Sequence, residues 1–223
     1  MAETPIRLVA FDMEGCLTAD PSVWELMHKK LGTWESHGLP YWNRFKAGEF
    51  EYDEVARMDV AAWRGAPAAV LEEASEEVSL MAGCGEVLAA LSSAGVEVAI
   101  ITNGLSCVAD RFRRGFGVTR VFANRVLSED GRLTGEIDIR VPYHNKGDVL
   151  RRLTAELGVD RDSIAAVGDT LADASMFRLA RIGVAFRPFH PALADHATHL
   201  IRDGDLRALL PILLPAAFSR PVA

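Results

Sequence analysis

Four short apolar runs, separated by segments with helical periodicity, constrain the fold of this chain more than any other feature of its sequence. The runs are rich in Val, Ile and Ala, and they span residues 6–11, 96–101, 163–168 and 182–186. Continuous apolar runs of this length are typical of strands that are buried on both faces, as in a parallel sheet. Helical spacing is clearest in residues 85–95, 108–117, 146–158 and 172–180. Strands that alternate with helices predict a doubly wound, Rossmann-like α/β fold.

Residues 123–140 depart from this alternation. They contain Asp130 and Gly131 between two segments in which polar and apolar residues alternate. An Asp-Gly pair in this setting predicts a tight turn, and therefore a β-hairpin.

Residues 19–80 also depart from it, because they contain amphipathic helical patterns and no convincing buried strand. We therefore predict a small helical cap at 19–80, inserted into a core formed by residues 1–18 and 81–223. All four tryptophans fall in this cap: Trp24, Trp34, Trp42 and Trp63. Either they form the core of the helical unit, or one or two of them line a pocket that faces the sheet. A cap at this position lies beside the carboxyl ends of the strands, where open α/β sheets bind ligands.

The composition argues against several classes of partner. The chain has 223 residues and a net charge of −7, so it lacks the broad positive charge that nucleic acid or an anionic membrane would require. No apolar stretch approaches the roughly 18 residues of a membrane span. The three cysteines have no metal-type spacing, which favours free thiols in a reducing compartment. We expect a cytoplasmic protein that binds neither nucleic acid nor membrane, and the sequence leaves its oligomeric state open.

Polar residues suited to catalysis follow three of the apolar runs. They are Asp12 and Glu14 after the first run, Thr102, Asn103 and Gly104 after the second, and Asp169 and Asp173 after the third. Lys146 opens the helix that follows the predicted hairpin. Because the carboxyl ends of parallel strands meet at the same edge of a sheet, we expect these side chains to lie close together.

This combination of residues predicts a site for a metal ion and a phosphate. Carboxylates that converge without a partner repel one another, and their oxygen atoms are the ligands that a hard ion such as Mg²⁺ prefers. The hydroxyl and main-chain amides at Thr102 and Asn103, with the ammonium of Lys146, are suited to a phosphate. One carboxylate can attack phosphorus, and a second carboxyl can protonate the leaving alcohol. The sequence therefore predicts phosphoryl transfer.

Four ordered motifs resemble those of the haloacid dehalogenase superfamily of phosphatases, and most closely its phosphoserine phosphatase-like branch. FDMEGCLT resembles the first motif, IITNG the second, the lysine of YHNKGDVL the third and GDTLAD the fourth. The similarity covers nearly the whole chain, and ANRVLSEDGRLTGE is typical of this branch. The resemblance implies a Mg²⁺-dependent phosphoric monoester hydrolase that acts on a small phosphorylated metabolite.

The resemblance also implies a role for each matching residue. Asp12 would be the nucleophile that forms an aspartyl-phosphate, and Glu14 would be the acid and base. The residues that hold the phosphate during catalysis would be Thr102, Asn103, Gly104 and Lys146. Mg²⁺ would be bound by Asp12, Asp169 and the main-chain carbonyl of Glu14. Asp173 would lie beside them, either at the metal or as the residue that orients Lys146.

Two features depart from the pattern of this branch. Glu14 stands where an aspartate is usual, and the D-x-E pattern resembles a group that also passes the phosphoryl group to homoserine, so transfer to an alcohol is an alternative. Pro21 occupies the position of a glutamate that commonly meets the amino group of phosphoserine, and Glu25 is a displaced candidate for that role. Arg57 in the cap is a candidate for binding the carboxylate of the substrate.

Two other classes of protein compete with a phosphatase. A signalling receiver domain also combines Asp, Thr and Lys around Mg²⁺, but it is shorter and lacks a helical cap. A catalytically inactive binding protein would retain the fold, although Asp12, Lys146 and Asp169 are all present in this chain. A dinucleotide site is disfavoured, since no G-x-G-x-x-G follows the first strand.

Overall fold

The structure is a computed structural model and describes residues 4–215. Its strands are β1 (Leu8–Phe11), β2 (Glu97–Leu105), β3 (Arg120–Glu129), β4 (Arg132–Asp138), β5 (Ile164–Gly168), β6 (Ile182–Phe186) and β7 (His199–Ile201). Within the described residues they form one sheet in the order β4-β3-β2-β1-β5-β6-β7. Neighbouring strands are parallel, except that β3 and β4 form an antiparallel hairpin.

Helices follow most of the strands. Between β1 and β2 these are α1 (Val23–Lys30), α2 (Leu39–Lys46), α3 (Tyr52–Ala62), α4 (Ala69–Glu77) and α5 (Cys84–Ser93). The later helices are α6 (Ser106–Phe116), α7 (Lys146–Leu157), α8 (Ala174–Phe177) and α9 (Leu210–Leu213). A π-helical turn, Trp34–Gly38, precedes α2. Throughout residues 4–215, every helix is too short or too polar to cross a lipid bilayer.

Alternate residues of β1 pack into two separate hydrophobic cores. Leu8 and Ala10 face one core together with α7 and α8, whereas Val9 and Phe11 face the other with α5 and α6. All four side chains are fully buried. Because both faces of the sheet are covered, the strand sequences are apolar throughout instead of alternating.

The predicted fold class is confirmed. The four apolar runs form β1, β2, β5 and β6, and Asp130 and Gly131 form the turn of the β3–β4 hairpin. Both turn residues have positive φ angles, 48° and 73°, which Asp and Gly tolerate better than most residues. β7 adds an edge strand that the apolar runs did not include. The boundaries of core and cap stay a prediction, and residues 1–3 and 216–223, which it assigns to the core, lie outside the described residues.

The chain leaves and rejoins the α/β core through two segments that lie side by side. The amide of Ala19 donates to the carbonyl of Ser79, and the amide of Met81 donates to the carbonyl of Leu17, both at 2.9 Å. The inserted helices therefore begin and end next to the loop that follows β1. This places α1, α2 and α3 over the carboxyl edge of the sheet.

Candidate active site

Asp12 is the first residue after β1, and the sheet fixes its position. Its amide donates to the carbonyl of Val167 in β5 at 2.9 Å. Its carboxylate Oδ1 accepts a hydrogen bond from the amide of Met13 at 2.6 Å, and Oδ2 lies 2.8 Å from Nζ of Lys146. Asp12 is buried, and burial raises the pKa of its carboxyl to about 6. The structure thus holds this carboxylate in one orientation at the edge of the sheet.

Lys146, the first residue of α7, links Asp12 to Asp173. Its Nζ lies 2.7 Å from Oδ1 of Asp173, and only 1% of the lysine side chain is exposed. Burial alone would lower the pKa of Lys146, but the adjacent carboxylates of Asp12 and Asp173 more than offset this and raise it. Lys146 is therefore a fixed positive charge in the middle of the site.

The carboxylates of Asp12, Asp169 and Asp173 suit a divalent cation. Each offers an oxygen within 4.8 Å of the others. Burial, followed by repulsion from Asp12 and Asp173, raises the pKa of Asp169 well above its usual range. Oδ1 of Asp169 is buried without a hydrogen-bond partner. A hard ion with oxygen ligands, such as Mg²⁺, fits this set, because it would coordinate the unpartnered oxygen and offset the repulsion.

Asp173 is less available to a metal than Asp169, because both of its carboxylate oxygens already accept hydrogen bonds. Oδ1 accepts from Lys146, and Oδ2 accepts from the amides of Asp169 and Thr170 at 3.1 and 2.9 Å. Of the two roles that the sequence implied for Asp173, these contacts favour orienting Lys146 over binding the metal.

Gly15 allows the loop after β1 to approach Asp169. Its φ is +79°, and a Cβ at this position would lie 2.1 Å from Oδ2 of Asp169. Any other residue would be strained and would push the Asp169 carboxylate away. The glycine of the first motif therefore brings together the loops that carry Glu14 and Asp169.

Glu14 lies in the same loop, with its carboxyl group close to Gly104 of β2. A Cβ on Gly104 would lie 3.0 Å from Oε2 of Glu14, and Oε1 of Glu14 is buried without a hydrogen-bond partner. Burial, and then the charge of Asp12, raises the pKa of Glu14 to about 7. The indole N–H of Trp24 approaches Glu14 and opposes this shift, although it makes no hydrogen bond of good geometry. Glu14 is thus a second carboxyl beside Asp12 with an oxygen available to a ligand.

Thr102, Asn103 and Gly104 are part of β2, which continues to Leu105 and does not end at the apolar run. The hydroxyl oxygen of Thr102 accepts from the amide of Gly104 at 3.0 Å, which leaves the hydroxyl proton available to a ligand. The side-chain amide of Asn103 instead donates to the carbonyl of Val141 at 2.8 Å. Thr102 therefore faces the site as a donor, whereas the Asn103 side chain connects β2 to the segment before Lys146.

Asn124 of β3 is a further buried polar residue that the sequence analysis did not single out. Its Nδ2 donates to the main-chain carbonyl of Asn103 at 2.8 Å, and its Oδ1 accepts from the amides of Arg140 and Val141 at 2.9 Å. It is fully buried. An asparagine inside an apolar strand segment was the available signal, and here it ties β2 and β3 to the chain that leads to Lys146.

A cavity of about 750 Å³ lies between this edge of the sheet and the cap. Asp12, Glu14, Thr102 and Asp169 are among the residues that line it on the side of the sheet. Its aromatic lining consists of Trp24, Trp34, Trp42, Phe45, Tyr52, Tyr143 and Phe189. Three of the four tryptophans therefore face the cavity, while Trp63 is buried in the cap with 1% of its surface exposed.

Arg57, the candidate from the sequence for binding a substrate carboxylate, does not face the site. It is exposed on α3 and does not line the cavity. Val55, Ala56 and Asp59 of the same helix do line it. Since successive helical residues are rotated by about 100°, Arg57 points away from the face that these three residues share. The candidate for binding a substrate carboxylate is therefore corrected, because Arg57 lies outside the site.

Comparison with known proteins agrees with this architecture. Residues 9–178 match the haloacid dehalogenase-like hydrolase family. Phosphoserine phosphatase of Archaeoglobus fulgidus is 31% identical over 218 residues, which are 97% of this chain and 62% of that protein. Phosphoserine phosphatase of Methanocaldococcus jannaschii is 27% identical over 205 residues, which are 92% of this chain and 96% of that protein. A solved phospho-aspartyl intermediate analogue of phosphoserine phosphatase has a TM-score of 0.84 and 25% identity, and the match covers 94% of this chain and all of that one.

The chain therefore belongs to the haloacid dehalogenase-like hydrolase family. Its relatives and structural neighbours place it with the phosphoserine phosphatase-like branch of that family. The predicted family and the predicted enzyme class, a phosphoric monoester hydrolase, are confirmed.

Proposed function

We propose that this protein is a Mg²⁺-dependent phosphatase that hydrolyses the phosphomonoester of a small metabolite through an aspartyl-phosphate on Asp12. The observation that carries this proposal is the 2.8 Å contact between Asp12 and Lys146, beside the unpartnered oxygen of Asp169. A buried carboxylate, a fixed positive charge and a free ligand atom are thus close together. Phosphoryl transfer requires this combination, because it depends mainly on positioning and on neutralising negative charge.

In the first step, a carboxylate oxygen of Asp12 forms a bond to phosphorus while the bond from phosphorus to the alcohol oxygen breaks. Glu14 gives its carboxyl proton to the departing oxygen, so the product leaves as a neutral alcohol. The ammonium of Lys146 and the hydroxyl of Thr102 donate hydrogen bonds to the phosphoryl oxygens and stabilise their negative charge.

In the second step, a water molecule attacks the phosphorus of the aspartyl-phosphate. Glu14, now a carboxylate, accepts a proton from that water, and the bond between phosphorus and the Asp12 oxygen breaks. Inorganic phosphate is released, the Asp12 carboxylate is regenerated and Glu14 is again protonated. The two residues therefore return to their starting states after each turnover.

Mg²⁺, bound by Asp12, Asp169 and the main-chain carbonyl of Glu14, would supply positive charge to offset the charge of the phosphoryl group. Asp173 has a different role, since it holds Lys146 and the loop of Asp169 in place through its own hydrogen bonds.

Replacing Asp12 by Asn tests this proposal. The variant keeps the size of the side chain and removes the nucleophilic carboxylate. We expect the Mg²⁺-dependent hydrolysis of p-nitrophenyl phosphate to fall by about 10³-fold or more, as losses of essential nucleophiles do. Asp162→Asn is a matched control, because Asp162 is exposed and precedes β5 at the opposite edge of the sheet. Activity that survives Asp12→Asn in a folded protein would exclude Asp12 as the nucleophile.

Transfer of the phosphoryl group to an alcohol acceptor is a second possible activity and stays a prediction from the D-x-E motif. It differs from hydrolysis only in the second step, where an alcohol replaces water. A direct test supplies homoserine together with a phosphomonoester that the protein hydrolyses. The formation of phosphohomoserine is then measured.

The remaining parts of the proposal concern partner and location. The partner is a small phosphorylated metabolite, and neither nucleic acid nor membrane is expected to bind a chain with a net charge of −7. Cys16, Cys84 and Cys107 are all unpaired, which fits the reducing conditions of a cytoplasm.

A further inference from the structure

The cap is closed against the core in this structure. The ring centroids of Trp42 in α2 and Phe189 of the core are 6.2 Å apart, and Tyr52 of α3 stacks on Tyr143 of the core at 5.0 Å. Asp53 of α3 also accepts a hydrogen bond from the amide of Tyr143 at 3.2 Å. The cavity is therefore enclosed by the cap, and its side chains are positioned to contact the alcohol part of a substrate.

The reacting centre is the group formed by Asp12, Glu14, Thr102, Lys146 and Asp169. Asp59 of α3 is a carboxylate that lines the same cavity away from this centre. Only 9% of its side chain is exposed, and its Oδ1 lies 2.9 Å from Nε2 of His28. Its Oδ2 makes no hydrogen bond within residues 4–215. Burial raises the pKa of Asp59, and the hydrogen bond from His28 opposes this shift. One oxygen of a largely buried carboxylate is thus available to a ligand.

The ring of His28 is held between Asp59 and two other side chains, Trp63 and Thr33. The indole Nε1 of Trp63 lies 3.4 Å from Nδ1 of His28, and an indole N–H can only donate. The hydroxyl of Thr33 lies 2.7 Å from the same Nδ1, so both ring nitrogens of His28 have neighbours within hydrogen-bond distance. His28 therefore fixes the orientation of the Asp59 carboxylate through Oδ1.

Asp20 and Glu25 are further acidic residues that line the cavity, and Glu25 is paired with Lys29 at 2.6 Å. Among the described lining residues, the lysine and arginine outside the reacting centre are Lys46 and Arg187, and both are exposed. Among the described residues that line the cavity outside the reacting centre, a substrate carboxylate would therefore meet Asp59 without a buried cation to receive it, at a cost in binding free energy.

Aromatic rings line the space between Asp59 and the reacting carboxylates. Tyr52 lines the cavity with Glu14, Asp12 and Asp59, and burial, followed by the charges of these three carboxylates, raises the pKa of Tyr52 well above its usual range. Trp24 lies 6.5 Å from Tyr52 between ring centroids. The faces of Trp and Tyr rings attract cations, most strongly where water is excluded.

We propose that the cap cavity selects phosphomonoesters of cationic amino alcohols without a carboxylate, and that Asp59 receives their ammonium group. This inference rests on the proposed phosphatase function and specifies its substrate class. The aromatic rings surround the ammonium group, while Asp59 provides the opposite charge. Repulsion from Asp59 disfavours phosphoserine, whose carboxylate adjoins its amino group.

Four phosphate esters that differ by single groups test this selectivity on the unaltered protein with Mg²⁺. Ethyl phosphate has neither charged group, phosphoethanolamine adds the ammonium, phosphocholine methylates it, and phosphoserine adds a carboxylate to phosphoethanolamine. We expect kcat/KM for phosphoethanolamine and phosphocholine to be at least tenfold higher than for ethyl phosphate and for phosphoserine. Equal values for phosphoethanolamine and ethyl phosphate, or a preference for phosphoserine, would overturn the inference.

Asp59→Asn tests the role of the carboxylate itself. The amide keeps the size of the side chain and can still accept the hydrogen bond from His28. We expect the ratio of kcat/KM for phosphoethanolamine to that for ethyl phosphate to fall at least fivefold, while Asp162→Asn leaves the ratio as it is. An unchanged ratio in a folded Asp59→Asn protein would contradict the proposal. If that variant does not fold, the comparison of the four esters with the unaltered protein decides alone.

p-Nitrophenyl phosphate separates failure of this inference from failure of the proposed function. If the protein hydrolyses p-nitrophenyl phosphate and Asp12→Asn abolishes this activity, but the amines have no advantage, only the substrate class is wrong. If p-nitrophenyl phosphate and all four esters remain intact in the presence of Mg²⁺, the phosphatase function itself is contradicted.

Discussion

The reacting centre and the cap cavity enclose the same space, but different parts of the chain hold them in place. The reacting carboxylates and Lys146 stand directly at the ends of strands or at the start of a helix, where the sheet fixes the main chain. The walls of the cavity come from α1, the π-helical turn, α2, α3 and three core loops, and their positions depend on side-chain packing. The positions of the candidate catalytic residues are therefore tied to the fold, whereas substitutions in these walls can change the cavity without moving the sheet.

Lys146→Met should have the largest effect, because it removes the only buried cation in contact with two carboxylates of the described site. Asp12 and Asp173 would remain buried without their partner. We expect the free energy of unfolding to fall by about 3–5 kcal/mol and phosphatase activity to be lost. Denaturant titration in EDTA measures the first effect. A variant as stable as the unaltered protein would show that this ion pair is not what holds the reacting centre together.

Asp169→Asn should separate activity from stability. Without a metal, the Asp169 carboxylate is buried and repelled by its neighbours, so the amide should raise the free energy of unfolding in EDTA by about 1 kcal/mol. The positive charge of bound Mg²⁺ would stabilise the transition state by several kcal/mol. We therefore expect kcat/KM to fall by about 10³-fold when this ligand is lost. Mg²⁺ should raise the Tm of the unaltered protein and of Asp162→Asn, but not that of Asp169→Asn. An equal rise in all three proteins would exclude Asp169 as a ligand.

Glu14→Gln should have a smaller effect that depends on the leaving group. General acid catalysis typically contributes about 10²- to 10⁴-fold, and we expect a decrease of about 10²-fold in kcat for ethyl phosphate. p-Nitrophenolate leaves readily without being protonated. The decrease in kcat for p-nitrophenyl phosphate should therefore be at least tenfold smaller than the decrease for ethyl phosphate. Both esters are measured with the same protein preparation. The fraction of folded protein then affects both rates equally and cancels in their ratio. An equal loss for both would argue against Glu14 as the acid for the leaving group.

The expected proximity of Asp12, Lys146 and Asp169 could be read from the sequence, because these residues are local to strand ends or a helix start and need only the parallel sheet to meet. Their catalytic roles stay a prediction. The sequence did not predict Tyr52, Tyr143 or Phe189, since these come from separate elements whose packing no short motif describes. It indicated Arg57 on α3 and did not indicate Asp59, although the apolar positions Val55 and Val60 mark the inward face of this helix. Asp59 falls on that face, and its position among buried neighbours was the signal that would have identified it.

Arg57→Ala should have the smallest effect. It tests the contrast between Arg57, which lies outside the cavity, and Asp59, which lines it two positions further along α3. Arg57 is exposed and outside the cavity, so its loss should change the free energy of unfolding by less than about 0.5 kcal/mol. In Arg57→Ala, the ratio of kcat/KM for phosphoserine to that for phosphoethanolamine should change by less than twofold. In Asp59→Asn the same ratio should rise, because this substitution removes a negative charge from the region that a substrate carboxylate enters. A selective loss of phosphoserine turnover in Arg57→Ala would instead mean that α3 turns this arginine inward when substrate binds, and that the cavity then offers a cation to a carboxylate.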